Sequence, residues 1–453
     1  MRLNAQETAA EARRILRLAW PVVLTSFNWT LMQLIDVAIV GHVGTAELGA
    51  LAAGRTITFI TIVMGLAGMS GVLVYASRAD GSGDRAATGD FFRAGLIYGL
   101  GLGFIAMAVL AIWAAELLHL IGVPQSLSIE GAEVVRSMAF GFPGQLTLAA
   151  ITYFLEGISH PRRVMAINMV MLPVNAVLAW AWAGGHLGLP ELGAVGAARA
   201  TACVSTMGGL AMFAAAWLLP EAGERRIRDL SGAAWARAVA DVPALLRFGF
   251  VPSISAGLEL AGFSWLIALS TQLGAVPAAA FQTVFSLHNF AFAMSIGFAS
   301  AAGVRVGNAV GEGTPGEAFH RTLIACALTA LVMGALGLIY WFAGAFVVMP
   351  FSSDPAVLRM AAGLLLIFAP FMFFDGIQMV CVYALRSLGD QVAAGINGVI
   401  AFFVVTGGLG WWLVRAGWGA EALAIASVSG MVVASLLQGG RMIQLSLRGR
   451  SRS

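Results

Sequence analysis

The chain has 453 residues, 59% of them hydrophobic and 11% charged, and carries a formal net charge of +3. A soluble domain of this length carries about 25% charged residues, so an ordinary soluble fold is excluded. All 26 basic residues are arginine; a Walker A loop needs a lysine on the phosphates, so a P-loop ATPase is excluded as well.

Residues 1–17 hold charges of both signs (Arg2, Glu7, Glu11, Arg13, Arg14 and Arg17). The apolar run that follows is longer than a signal-peptide core and lacks a small-residue cleavage site. It reads as a retained first span. Further apolar runs then recur to the C-terminus, each long enough to cross a bilayer as a helix. They predict spans near 18–40, 50–76, 92–115, 130–155, 163–183, 194–219, 245–272, 278–304, 319–345, 357–384, 393–414 and 421–443. The segment 220–242 is the longest charged stretch between runs. It predicts a cytoplasmic linker, with a short surface helix around Trp235, between a six-helix lobe at 1–219 and another at 243–453. The glycine-rich GNAVGEGTPGE (307–317) is expected to be a loop. The fold class expected is thus an all-α polytopic membrane protein of twelve transmembrane helices in two pseudo-symmetric six-helix lobes.

With both termini inside, only Arg55, Arg136, Arg199, Arg359 and Arg415 of the 26 arginines fall at or near the outer side. The bias follows the positive-inside rule and supports the count of twelve. The halves also repeat. MGLAGMSGVLVYASRADGSG (64–83) aligns with IGFASAAGVRVGNAVGEGTP (296–315), placing Gly65, Gly71, Val72, Val74 and Gly81 opposite Gly297, Gly303, Val304, Val306 and Gly313. The shared offset is 232, and Pro21/Pro252, Gly44/Gly274 and AIN (166–168)/GIN (395–397) follow it within a few residues. An even number of spans per half gives parallel repeats, an arrangement of secondary transporters. Gly95, Gly99 and Gly103 form a ridge for close helix packing, as do Gly303, Gly307 and Gly311.

Three acids sit inside apolar sequence: Asp36 in LMQLIDVAIVG, Glu259 in SISAGLELAGFSW and Asp375 in FMFFDGIQMVC. A carboxylate at the bilayer centre costs at least about 2.5 kcal/mol, so each is expected to face a protein-lined cavity and to bind a cation, a proton or a charged substrate. Glu259 and Asp375 share one half, where two carboxylates repel each other and a proton or a Na⁺ relieves the repulsion. Oxygen ligands suit a hard cation. The basic residue of nearest sequence, Arg386, is three turns from Asp375. His288 and Asn289 read as satisfied core groups. Cys203, Cys326 and Cys381 form neither a disulfide framework nor a metal cluster, and no catalytic triad is present, so no enzymatic activity is expected.

The stretches WPVVLTSFNWTLMQLIDVAIVGHVG (20–44), LPVNAVLAWAWAGGHLGLPELGAVGAARAT (172–201), LGAVPAAAFQTVFSL (273–287), GVRVGNAVGEG (303–313) and FFDGIQMVCVYALRSLGD (373–390) resemble the multidrug and toxic compound extrusion (MATE) family, and within it the NorM-like branch. The resemblance implies a monomeric inner-membrane antiporter with a central cavity, expelling small organic cations in exchange for Na⁺ or H⁺, with no cofactor and no nucleic-acid partner. It implies that Glu259 and Asp375 form the cation-coupling site, including any Na⁺ ligation, and that Asp36 takes part in substrate binding or proton coupling. Thr56, Gln282, Ser286 and Asp354 match substrate-contacting positions; Asp354 also suits a helix N-cap beside Pro355. Asn175 and Phe371 are secondary candidates. Some relatives carry Asn where Met171 stands and Tyr where Phe371 stands; both changes remove oxygen ligands and leave the coupling ion open, and loss of the tyrosine hydroxyl tilts the expected balance from Na⁺ towards H⁺. Export of a lipid-linked precursor is the alternative; its anionic headgroup calls for several cavity arginines, whereas the mid-span charges read as acidic.

Overall fold

The computed structural model describes residues 5–450. Arg2 and Arg452, two of the arginines assigned to the inner side, lie outside the described residues, as does the side chain of Arg450. The described chain is helical almost throughout: α1 (Ala5–Val43), α2 (Thr45–Gly81), α3 (Arg85–Leu120), α4 (Gln125–Ala139), α5 (Phe142–Gly157), α6 (Pro161–Ala183), α7 (Gly193–Trp217), α8 (Gly232–Gln272), α9 (Ala275–Gly311), α10 (Pro315–Val348), α11 (Pro355–Phe368), α12 (Met372–Ser387), α13 (Gln391–Gly398), α14 (Gly410–Arg415) and α15 (Glu421–Arg450). Eleven helical stretches are long and apolar enough to cross a membrane, and α4 with α5, bent by 49° at a short break, makes twelve. The protein is therefore an all-α polytopic membrane protein.

Several spans are less regular than the apolar runs suggest. The fourth breaks at Phe140–Gly141 because Pro143, just beyond, cannot supply an amide for a continuous helix. The tenth passes through a 3₁₀ turn at Ala369–Phe371, centred on Pro370. The eleventh carries a π-helical stretch, Val399–Leu409, between α13 and α14. Two expectations are corrected. Trp235 lies in the first turn of the 41-residue α8 and not in a separate surface helix, since no glycine or turn sequence separates it from the span. The 307–317 stretch is not a loop: it closes α9 and opens α10 through a tight turn at Gly313 (φ 73°), a left-handed conformation that glycine adopts without strain.

The chain divides into two compact units. The first comprises residues 24–253, the second residues 1–23 with 254–453. Within the first, the glycine ridge of α3 lets helices approach closely: a Cβ on Gly103 would lie 2.5 Å from Pro143 Cα, and one on Gly99 2.9 Å from the Leu146 carbonyl oxygen. The turns after α7 are bound by arginines. Arg225 pairs with Asp80 at 2.8 Å and Glu221 at 3.0 Å, and the buried Arg93 donates to the Arg226 carbonyl at 2.6 Å. Within the second, Arg305 makes a two-pronged pair with Glu11 at 2.6 and 2.8 Å, and Arg321 spans Glu312 and Glu317.

The two halves repeat in their turns. Gly83 and Gly313, and Ser159 and Gly389, all take positive φ at helix ends 230 residues apart. Gly44 and Gly274, at the same separation, precede α2 and α9, each of 37 residues. This offset replaces the 232 read from the glycine pairs. Like small residues recur along a helix, so an alignment within it can slide by part of a turn; a turn cannot.

Candidate functional site

In the first unit, Asp36 is 2% exposed on α1. Helices α2, α6 and α7 each bring it a polar partner. Arg55 Nη2 donates to its Oδ2 at 2.6 Å, Asn175 Nδ2 donates to its Oδ1 at 2.7 Å, and Thr201 Oγ1 lies 3.1 Å from Oδ2. The Thr201 hydroxyl is equally 3.1 Å from the Ala197 carbonyl and shares its one proton between the two. Arg55 Nη1 donates to the Gln33 carbonyl at 3.1 Å, so the guanidinium is held at two points on α1. Asn175 is fully buried and its Oδ1 has no partner among the described residues. Thr56 is exposed, with its hydroxyl bonded back to Ala52 at 3.1 Å. A cavity of about 450 Å³ lies elsewhere in this unit, lined by Glu47, Glu133, Glu191 and Arg199 among others, and none of the predicted site residues borders it.

In the second unit, Asp375 is 1% exposed near the start of α12. Its Oδ1 accepts from Gln378 Nε2 at 3.2 Å, and its Oδ2 has no partner among the described residues. His288 on α9 is 6% exposed, surrounded by the rings of Phe263, Phe285, Phe292 and Phe368 at 6.0 to 6.3 Å. Its Nδ1 is likewise unpartnered among the described residues, and Asp375 is the charged group within its electrostatic reach. The expectation of a satisfied core histidine is thus corrected. Hydrophobic context alone suggested it; only the packed neighbours reveal the missing acceptor or donor.

Glu259 on α8 is half-buried and has no hydrogen-bond partner among the described residues. Its charged neighbour is Arg386 of α12, remote in sequence and near in space. A methyl group on Gly398 would collide with Glu259 Oε1, and one on Gly262 with the Phe402 carbonyl. The end of α13 thus packs beside the acid, and the π-helical stretch that follows packs against Gly262 on the same helix as Glu259. Such stretches interrupt the regular ladder and often mark functional positions. Phe371, in the 3₁₀ turn just before α12, packs its ring 6.2 Å from Phe374.

Gln282 is exposed and Ser286 half-buried one turn later on α9, with the Ser286 hydroxyl donating to the Gln282 carbonyl at 2.9 Å. Asp354 is exposed and caps α11, accepting from the Ala356 amide at 2.8 Å. Sequence reasoning missed Arg55 as a partner of Asp36, having placed it near the outer side. The span start explains the miss: against a predicted start at 50, Arg55 lies about 7.5 Å from the helix end, whereas α2 begins at Thr45.

Outside the spans, His160 sits beside Glu221 at 3.7 Å. Burial holds the imidazole below its ordinary pKa, against the pull of Glu221. Burial pushes Glu221 up, but the hydrogen bond and charge of Arg225 prevail and hold it below the usual carboxylate range.

Comparison with known proteins agrees with these features. The chain is 31% identical over 440 residues to a probable multidrug resistance protein NorM of Caulobacter vibrioides, covering 95% of this chain and 90% of that one. It is 30% identical over 455 residues to the protein of the same description from Deinococcus radiodurans, covering 98% of each. In fold it is similar to the eukaryotic MATE transporter AtDTX14, with a TM-score of 0.86 at 19% identity over 98% of this chain and 99% of that one. It is also similar to the outward-facing conformation of a multidrug resistance MATE family transporter of the MOP superfamily, with a TM-score of 0.85 at 20% identity over 96% of each chain. The MatE family profile matches residues 21–181 and 254–412, once in each half, and the chain belongs to the MatE family of multidrug efflux transporters.

Proposed function

We propose that this transporter is a secondary antiporter that exports small organic cations across the bacterial inner membrane in exchange for Na⁺ or H⁺, by alternating access, with Glu259 and Asp375 as the coupling acids. One observation carries the reading: neither acid has a cationic hydrogen-bond partner, and the buried Asp375 Oδ2 has no partner at all among the described residues. An uncompensated carboxylate in a membrane interior is costly, and a bound proton or Na⁺ removes that cost. Phe371 and Met171, where some relatives carry Tyr and Asn, leave fewer oxygens for a metal ion, and loss of the tyrosine hydroxyl favours the proton.

Cargo contacts are assigned to Thr56, Gln282, Ser286 and Asp354. The lobes are taken as 1–219 and 243–453, joined by a cytoplasmic linker at 220–242, with both termini cytoplasmic and the protein working as a monomer. The test is efflux of a fluorescent organic cation from proteoliposomes with Na⁺ and H⁺ gradients imposed separately. Accumulation driven by neither gradient, from protein that binds the cation, refutes ion-coupled antiport.

A further inference from the structure

Within that reading, we infer that Arg55 is the resident cation of Asp36: a tethered counter-ion that fills the carboxylate and excludes Na⁺, protons and cationic cargo from it, so that ion coupling is confined to the unit holding Glu259 and Asp375. The geometry is that of an occupied site. Arg55 Nη2 lies 2.6 Å from Asp36 Oδ2, and its Nη1 is anchored on the Gln33 carbonyl at 3.1 Å. Asn175 takes the other carboxylate oxygen at 2.7 Å. The pair is shielded from solvent, with side-chain exposures of 16% and 3%. A second cation approaching Oδ2 meets a guanidinium already in contact, and like charges at that range repel strongly where water is scarce. Facing the carboxylate, α2 contributes Arg55, α6 Asn175 and α7 Thr201, and only Arg55 among these is charged.

The internal repeat points the same way. At the 230-residue offset fixed by the turns, Asp36 corresponds to Leu266 and Arg55 to Phe285. Both charges are replaced together by apolar groups, as expected of a pair that acts as one neutral unit. Glu259 and Asp375 correspond to Trp29 and Gln145, so neither coupling acid has a counterpart in the first unit. The repeat thus separates a hydrogen-bonded ion pair in one unit from acids without such a pair among the described residues of the other.

The experiment counts bound ions on detergent-purified full-length protein, as protons released by pH-jump titration and as radioactive Na⁺ retained, and reads carboxyl protonation by infrared difference spectroscopy. Variants are Glu259→Gln/Asp375→Asn, Arg55→Gln, and each combined with Asp36→Asn. The expected result is that Glu259→Gln/Asp375→Asn binds no coupling ion, while Arg55→Gln binds one more than the wild type and shows a new protonated-carboxyl band or retained Na⁺ that Asp36→Asn removes. An ion that persists in Glu259→Gln/Asp375→Asn and disappears when Asp36→Asn is added overturns the inference. An ion that persists there regardless of Asp36 refutes Glu259 and Asp375 as the coupling acids while leaving Arg55 in its assigned role. Should Arg55→Gln not fold, the comparison within Glu259→Gln/Asp375→Asn still decides, because it leaves Arg55 in place.

Discussion

Asp36, Glu259 and Asp375 look alike in sequence, each a lone acid in an apolar run, yet their surroundings differ. Among the described residues, Asp36 pairs with Arg55, whereas Glu259 meets an opposite charge through Arg386 and Asp375 keeps an oxygen unpartnered. Glu259→Gln and Asp375→Asn are each expected to lower ion-driven efflux at least ~10-fold, about 1.4 kcal/mol on the barrier, with the size-exclusion profile unchanged. Full ion-driven efflux by both would make the two acids structural. Gly398→Ala places a methyl group against Glu259 Oε1. Overpacking of that kind costs roughly 1–3 kcal/mol, so the variant is expected to melt earlier and to lose ion-dependent release of a bound cation. Unaltered melting together with unaltered release would show that the space beside Glu259 is not needed.

At the scale of elements, two irregular segments lie near the acids of the second unit: the 3₁₀ turn at Ala369–Phe371 just before Asp375, and the π-helical stretch that follows Gly398, the neighbour of Glu259. The turns after α7 are held by Arg93, Arg225 and the His160–Glu221 contact. His160 has a folded-state pKa below its unfolded value, so the open segment takes up a proton more readily than the closed one. Protection of residues 218–231 is therefore expected to fall as pH drops through the unfolded value near 6.5. Glu221, held low by Arg225, keeps its own contribution until more acidic pH. Hydrogen exchange at pH 7 and pH 5.5 tests this. His160→Gln should remove most of the difference, and an equal pH response in that variant would rule out His160 as its source.

For the whole molecule, the arginine distribution argues for cytoplasmic termini. Cysteines placed at Ser128 and Gly232, in a background lacking Cys203, Cys326 and Cys381, should label from the outside and the inside respectively; the reverse result would invert the topology. Antiport also requires ion and cargo to favour different states. Coupling of about 1–3 kcal/mol is typical, and it is reciprocal. At constant pH, Na⁺ should release a bound organic cation if the acids take Na⁺, and acidification alone should do so if they take protons. A cation affinity indifferent to both would remove the basis for coupling.

What the sequence determined by itself follows from its one-dimensional signals. Apolar run length and arginine placement mark the spans, because the bilayer imposes both a length and a charge asymmetry. Lone acids in those runs mark candidate sites, because hydrocarbon penalises them wherever they point. The tertiary structure decided the rest. That Arg55 reaches Asp36, that Arg386 is a cation near Glu259, and that His288 Nδ1 has no partner among the described residues all depend on which helix faces pack together. The same holds for the repeat, whose register of 230 is carried by turn geometry and not by the glycines within helices. Neighbours across helices are separated by tens to hundreds of residues along the chain, and no local pattern encodes their distance.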